Sequence, residues 1–326
     1  MFLLLLLLPA AGSALRDGES PGRMRTATAA GRDDGAEFCA TSGIFFRQLL
    51  AGRDFARASD AATMLDREAF RFAKQMKNYV YLVGDRSTGK AVVIDGCWDP
   101  RGIRDIAKQE GFKIKSYVAT HMHWDHIGGK VDHEPFKSMD YRLPGLREFV
   151  MGMTAKVRAR RARDKGGRPM VSVYISEVEL KLAAERTEVA AEHFRGLVDG
   201  SVVDVGERVR LTFRHTPGHS PGSMVILVSD RLGGGDEVGA GNPTTLPPPP
   251  LFMISGDTLF PGSCGRVDLP ESDAGAMWDS LQVLKEYSDD LVVFPGHAYA
   301  TANTTISREK RHGLLGMTRR QWMAGK

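Results

Sequence analysis

A single layered α/β domain is the fold class this sequence predicts, on three observations. From about Ile44 onward, short β-like runs alternate with helical stretches. No long structureless gap interrupts the core of the chain, and no short-period repeat is present. A chain of 326 residues has room for two average domains, yet α/β enzymes commonly use this length for one.

The strands are expected at 79–83, 91–94, 117–119, 171–175, 209–213, 224–228, 251–254 and 291–294. Each is short, β-branched or aromatic, and bounded by turn formers. Helical spacing of apolar residues runs through 102–110, 176–184 and 274–287. Two insertions are expected, at about 130–170 and 231–250. The second is Gly-rich and then Pro-rich, the composition of a surface loop. The first carries Lys156, Arg158, Arg160, Arg161, Arg163, Lys165 and Arg168, which together exceed the whole net charge of +4. A solvated face is the ordinary reading of such a cluster, and an anion-attracting rim is the functional one. A surplus this small and this local gives no reason to expect a nucleic-acid partner.

Residues 1–42 stand apart from the domain at 43–326. Phe2 to Leu8 is an apolar run too short for a stable membrane span, and the small residues Ala10, Ala11, Gly12, Ser13 and Ala14 follow it. The next stretch, 15–41, is rich in Gly, Ala, Ser, Thr and Arg and lacks apolar patterning. A targeting segment is therefore expected, secretory or resembling the bipartite plastid presequences of some algae; without it the expectation is the cytoplasm. The missing cationic start and the acids Asp17, Glu19, Asp33, Asp34 and Glu37 depart from both patterns. Three scattered cysteines, Cys39, Cys97 and Cys264, are too few for a disulfide framework.

The chemistry concentrates in His121-Met122-His123-Trp124-Asp125-His126, directly after a strand-like run. Three imidazoles and a carboxylate within six residues exceed any packing need, and they suit zinc, iron or manganese better than a soft thiolate metal. Further candidates recur in like settings: His219 in Thr-Pro-Gly-His, Asp257 in Ser-Gly-Asp-Thr, His297 in Phe-Pro-Gly-His, and Asp95 after a run of Val and Ile. The glycine before each of the first three is expected to let the chain turn sharply at the strand end. Strand ends of one edge would thus converge on one spot.

The ordered set His-x-His-x-Asp-His, Thr-Pro-Gly-His, Gly-Asp-Thr-Leu and Pro-Gly-His resembles the metallo-β-lactamase superfamily, over roughly Phe70 to His297. The resemblance implies a four-layer αββα sandwich with metal at one edge of the sheets. It implies that His121, His123 and His219 hold a first divalent ion, and that Asp125, His126 and His297 hold a second. Asp257 would bridge them and Asp95 would support the site from behind. Zinc is the expected metal, with iron or manganese as alternatives. A hydroxide between two such ions is available at neutral pH, which makes the ligand carboxylates Asp125 and Asp257 catalytic by implication.

Within the superfamily, Gly256-Asp257-Thr258-Leu259-Phe260 and Cys264-Gly265-Arg266-Val267-Asp268 resemble glyoxalase II-like thioesterases. Hydrolysis of a small thioester, in the manner of hydroxyacylglutathione hydrolase, is the expected reaction. Only about thirty residues follow His297, too few for the helical glutathione-binding segment of standard glyoxalase II. The Cys-Gly-Arg-x-Asp run also resembles persulfide dioxygenases, whose single iron would be held by His121, His219 and Asp257. A nuclease and a non-catalytic binder are lesser alternatives. Cys264, Arg266 and Tyr299 are candidate substrate contacts, each with an ordinary packing role as the alternative, and Trp124 either faces substrate or packs.

Overall fold

Six strands build the first sheet: β1 (Ile44–Leu50), β2 (Tyr79–Asp85), β3 (Lys90–Ile94), β4 (Lys113–Val118), β7 (Ser172–Ser176) and β8 (Phe194–Leu197), in the order β1-β2-β3-β4-β7-β8. Between β4 and β7, β5 (Gly129–Lys130) and β6 (Arg142–Leu143) pair as a two-strand ribbon. The second sheet holds β9 (Val202–Val205), β10 (Val209–His215), β11 (Met224–Asp230), β12 (Phe252–Gly256), β13 (Val292–Pro295) and β14 (Thr304–Thr305), in the order β14-β13-β12-β11-β10-β9. This computed structural model describes residues 43–152, 170–233 and 248–325. The expected targeting segment at 1–42, the basic cluster at 156–168 and residues 234–247 of the Gly/Pro-rich tract lie outside the described residues.

Burial along the strands dictates the layers. β2 and β11 are buried at every position, so each must be covered on both faces. Three apolar cores satisfy that demand. Phe46, Tyr81, Val92, Ile94, Phe213, Ile226, Phe252 and Phe294 fill the space between the sheets. Val80, Leu82, Val93 and Tyr117 face the other way, toward Phe70, Ile103 and Phe149 of three helices, Met64–Met76, Pro100–Gln109 and Leu146–Met151. On the far side, Val225, Met253 and Val293 meet Met277 and Leu281 of helix Ala274–Leu284, together with Ile306 and Trp322. Helix, sheet, sheet, helix is the αββα order.

Several elements differ from the sequence expectation, each for a local reason. β1 has its apolar residues in two runs, 44–46 and 49–50, around Arg47 and Gln48 and is buried on both faces, so it shows no period-2 alternation to read. Helix Met64–Met76 buries only Ala69, Phe70 and Ala73, a weak stripe, and is held instead by Thr63 at its start, whose side chain accepts from Asp66 N. The helix expected at 176–184 begins later, at Leu180, because Ser176 completes β7 and a turn intervenes. The helix expected at 274–287 ends at Leu284. The stretch expected as an inserted loop at about 130–170 carries the β5–β6 ribbon and helix Leu146–Met151, whose Leu146, Phe149 and Val150 join the first core. Two further helices, Ile306–His312 and Arg319–Ala324, follow the last motif. Among the described residues, no helix is long and apolar enough to cross a membrane.

Candidate metal centre

The ends of β3, β4, β10, β12 and β13 deliver Asp95, His121, His219, Asp257 and His297 to one place. His123, Asp125 and His126 arrive on the loop and the single helical turn Trp124–Ile127 after β4. The glycines that release these side chains act in two ways. Gly218 and Gly256 sit at φ +140° and +50°, in the region that favours glycine. Gly296 serves by lacking a side chain: a Cβ there would stand 2.3 Å from Asp257 Oδ1.

Three overlapping groups result, His121–His123–His219, His121–His126–Asp257 and Asp125–His126–His297, with ligand atoms within 4.8 Å of one another in each. His123 Nδ1 lies 3.0 Å from His121 Nε2 and 2.9 Å from His219 Nε2. His297 Nε2 is 3.3 Å from His126 Nε2 and 3.4 Å from both Asp125 Oδ2 and Asp257 Oδ2, and His219 Nε2 is 3.4 Å from Asp257 Oδ2. Ligands at about 2.1 Å around a tetrahedral ion stand roughly 3.4 Å apart. Asp257 thus reaches toward both sets of imidazoles.

The outward ring nitrogens fix what the inward ones are. His126 Nδ1 faces Asp95 Oδ2 (3.0 Å), His123 Nε2 faces Glu271 Oε1 (2.8 Å), His219 Nδ1 faces the Arg266 carbonyl (2.8 Å), and His297 Nδ1 faces the Met76 carbonyl (2.7 Å). His121 Nδ1 meets Thr120 Oγ1 at 3.0 Å, and that hydroxyl already donates to Asp95 Oδ2, so it accepts from the ring. All five outward nitrogens therefore donate in the neutral rings, and all five inward nitrogens present lone pairs to one buried volume. Asp257 Oδ1 is also buried there and accepts no hydrogen bond. Facing lone pairs and an orphaned carboxylate oxygen fit a cation in that volume.

The carboxylates around the rings favour positive charge among them, carried either by a proton on a ring or by a cation that displaces it. Burial works against the charged form of Asp257, but His297 and His126 hold its carboxyl well below the ordinary value. Burial likewise opposes His126, yet Asp125, Asp257 and Asp95 raise it to about 10. His121 is pushed well below its ordinary value by burial and by the neighbouring His126 and His123. Glu271 is lowered to about 2, first by its hydrogen bond with His123.

Comparison with known proteins agrees with this geometry. Residues 74–231 match the metallo-beta-lactamase superfamily. That stretch, which holds His121, His123, Asp125, His126 and His219, belongs to the superfamily. It is similar to the hydroxyacylglutathione hydrolase of Rhodospirillum rubrum, 26% identical over 239 residues, covering 71% of this chain and 66% of that protein. The cytoplasmic hydroxyacylglutathione hydrolase of Arabidopsis thaliana is 28% identical over 227 residues, covering 69% and 66%. The chain thus spans just under two thirds of the length of these relatives. Among solved structures, a metallo-beta-lactamase from Staphylococcus aureus has a TM-score of 0.57 at 21% identity, covering 87% of this chain and 67% of that one. ETHE1 from Myxococcus xanthus has a TM-score of 0.52 at 22% identity, covering 86% and 88%. Both likenesses concern the fold.

The remaining expected site residues take varied places. Tyr299 is about half exposed and stacks on the His297 ring, with centroids 4.7 Å apart and an 8° interplanar angle. Burial of its hydroxyl, with the Asp257 and Asp125 carboxylates nearby, raises its pKa, so it stays a donor. The Arg266 side chain is exposed and paired with Asp268 (2.9 Å); only its carbonyl reaches the cluster, at His219. Cys264 is half-buried and packs against the outer helical core. Trp124 is half-buried and stacks on Phe72, with centroids 6.0 Å apart. The sequence reading missed Asn78, Trp98, Thr120 and Glu271. None lies in a metal-binding motif, and only Thr120, one residue before His121, had a positional signal.

Proposed function

We propose that this chain is a metal-dependent hydrolase of small thioesters, glyoxalase II-like, working with two divalent ions. The observation that carries the reading is the set of five inward imidazole nitrogens and the orphaned Asp257 oxygen around one buried volume. In this reading His121, His123 and His219 hold one ion, Asp125, His126 and His297 hold the other, and Asp257 reaches both. Bound ions would supply a hydroxide nucleophile at neutral pH and polarise the acyl carbonyl.

The chain's own residues then orient and exclude. Asp95, Thr120, Glu271 and the carbonyls of Arg266 and Met76 lock each imidazole in the tautomer that leaves its inner nitrogen free. Tyr299 and Phe260, with ring centroids 5.6 Å apart, form a wall beside His297. There the Tyr299 hydroxyl is available to donate to an acyl or carrier oxygen. A thiol of pKa about 8.5 leaves as a thiolate without a general acid, which suits a site built of ligands. The names of the R. rubrum and A. thaliana relatives, both hydrolases of acyl-glutathione thioesters, support a thioester substrate.

The test is turnover of S-lactoylglutathione by metal-replete protein, compared with glutathione persulfide, in wild type, Asp257→Asn and His297→Ala. Hydrolysis that falls more than about 100-fold in both variants, each folded by circular dichroism, is expected for removal of a ligand. Persulfide oxidation with a severe Asp257 defect and a mild His297 defect would replace this reading with a one-iron dioxygenase.

A further inference from the structure

Asn78 immediately precedes β2 at the seam of the two sheets, where its backbone bridges to that of His297 and Tyr79 N donates to the Gly296 carbonyl (2.8 Å). Its side chain is buried and points into the cluster. Asn78 Nδ2 donates to Asp125 Oδ2 at 3.0 Å and stands 3.5 Å from His297 Nε2. These two atoms belong to the same candidate ligand group. Trp98 Nε1 lies 3.1 Å from Asn78 Oδ1. An indole nitrogen can only donate, so the oxygen of the amide must face Trp98 and its NH2 must face Asp125. The amide orientation is thereby fixed by chemistry.

Trp98 is held for this task at a conformational cost. It is 1% exposed and sits at φ +71°, a region that bulky L-residues avoid. Edge-on contacts with Trp124 (5.9 Å between centroids) and Phe72 (6.2 Å) pin the indole. Strain of this kind persists where the surroundings over-determine a residue, commonly at functional sites.

We infer that Trp98 and Asn78 form a polar clamp that sets which Asp125 oxygen faces the cluster, and so governs affinity for the second divalent ion. The inference rests on the two-ion reading above. Both are positioning residues. By holding the amide nitrogen inward, Trp98 also keeps the amide oxygen turned away from the cluster.

The experiment is titration of the metal-stripped full chain with Co2+, followed by visible absorbance and by elemental analysis, in wild type, Trp98→Phe, Asn78→Ala and the double variant. Wild type takes up two ions. Each single variant, folded by circular dichroism, should keep the affinity of the three-imidazole position within about threefold and weaken the second by about 10–100-fold. The double variant should be no weaker than Asn78→Ala, because both act through one contact. Unchanged second-ion affinity, equal loss of both ions, or additive losses would overturn the clamp while leaving the two-ion reading intact. A wild-type chain that binds one ion would overturn both. Should Trp98→Phe not fold, Asn78→Ala alone decides, since it removes the amide that contacts Asp125 while the indole side chain stays.

Discussion

Gly296→Ala isolates the role of close approach in this site. A Cβ at that position would lie 2.3 Å from Asp257 Oδ1 and 3.0 Å from the Gly256 carbonyl carbon and oxygen. Carbon and oxygen at ordinary contact stand near 3.4 Å, so the carboxylate must retreat by about 1 Å. The Gly256 backbone cannot share much of that shift, because Gly296 N donates to its oxygen at 2.7 Å. Metal–ligand distances tolerate about 0.2 Å, so the displaced carboxylate no longer serves both positions. Overpacking of this kind costs about 1–3 kcal/mol, and each kcal/mol lowers Tm by roughly 2–4 °C in a domain of this size. The variant should therefore fold, melt several degrees lower, and lose at least about 90% of its bound metal and turnover after dialysis. Gly200→Ala is the control. It has φ +78° but no atom within 4 Å of the added Cβ, so it carries backbone strain of about 1–2 kcal/mol with full metal content. A Gly296→Ala protein with wild-type metal and turnover would refute the reasoning.

Three further outcomes follow from particular contacts. Glu271→Ala removes the acceptor for His123 Nε2 and should weaken binding at the three-imidazole position about 10–100-fold, measured by chelator competition. Glu271→Gln, whose amide oxygen still accepts, should recover most of that loss. Asp85 ties the β2–β3 turn to the β9–β10 turn through Glu207 N (2.6 Å), Ser87 N (2.9 Å) and the Ser87 and Thr88 hydroxyls. Burial opposes its charge, but these donors lower its pKa from 3.8 to about 2. Its stabilisation is therefore complete above about pH 4 and is lost as pH falls through about 2. The Tm difference between wild type and Asp85→Asn should shrink over that window, and a constant gap would contradict the assignment.

Much of the architecture was legible because the strands that carry the chemistry are short, apolar and closed by glycine motifs. β3, β10, β12 and β13 lie within two residues of their sequence runs, while β4 begins at Lys113, four residues earlier than its run; β4, β10, β12 and β13 lead to candidate ligands and β3 to the supporting Asp95. β1 was not legible, because a strand buried on both faces has no alternation to announce it. Helix Met64–Met76 was hidden by its narrow stripe, yet its last carbonyl, at Met76, holds the His297 ring. The same limit applies at the site. The seven residues with ligand chemistry sit in dense motifs, whereas Asn78, Trp98 and Glu271 act through tertiary contacts over long sequence separations. Arg266 reverses the expectation in an instructive way: its guanidinium turns outward to Asp268, and its backbone carbonyl orients His219. Side-chain type, which sequence reports, was not the property in use there.

The central claim is a site for two ions, and metal stoichiometry tests it most directly. Purified full-length protein, loaded with divalent metal and dialysed, should contain two ions per chain by elemental analysis, falling to one in His297→Ala and to fewer than one in Asp257→Asn. One iron per wild-type chain, with His297→Ala retaining it fully, would contradict the account.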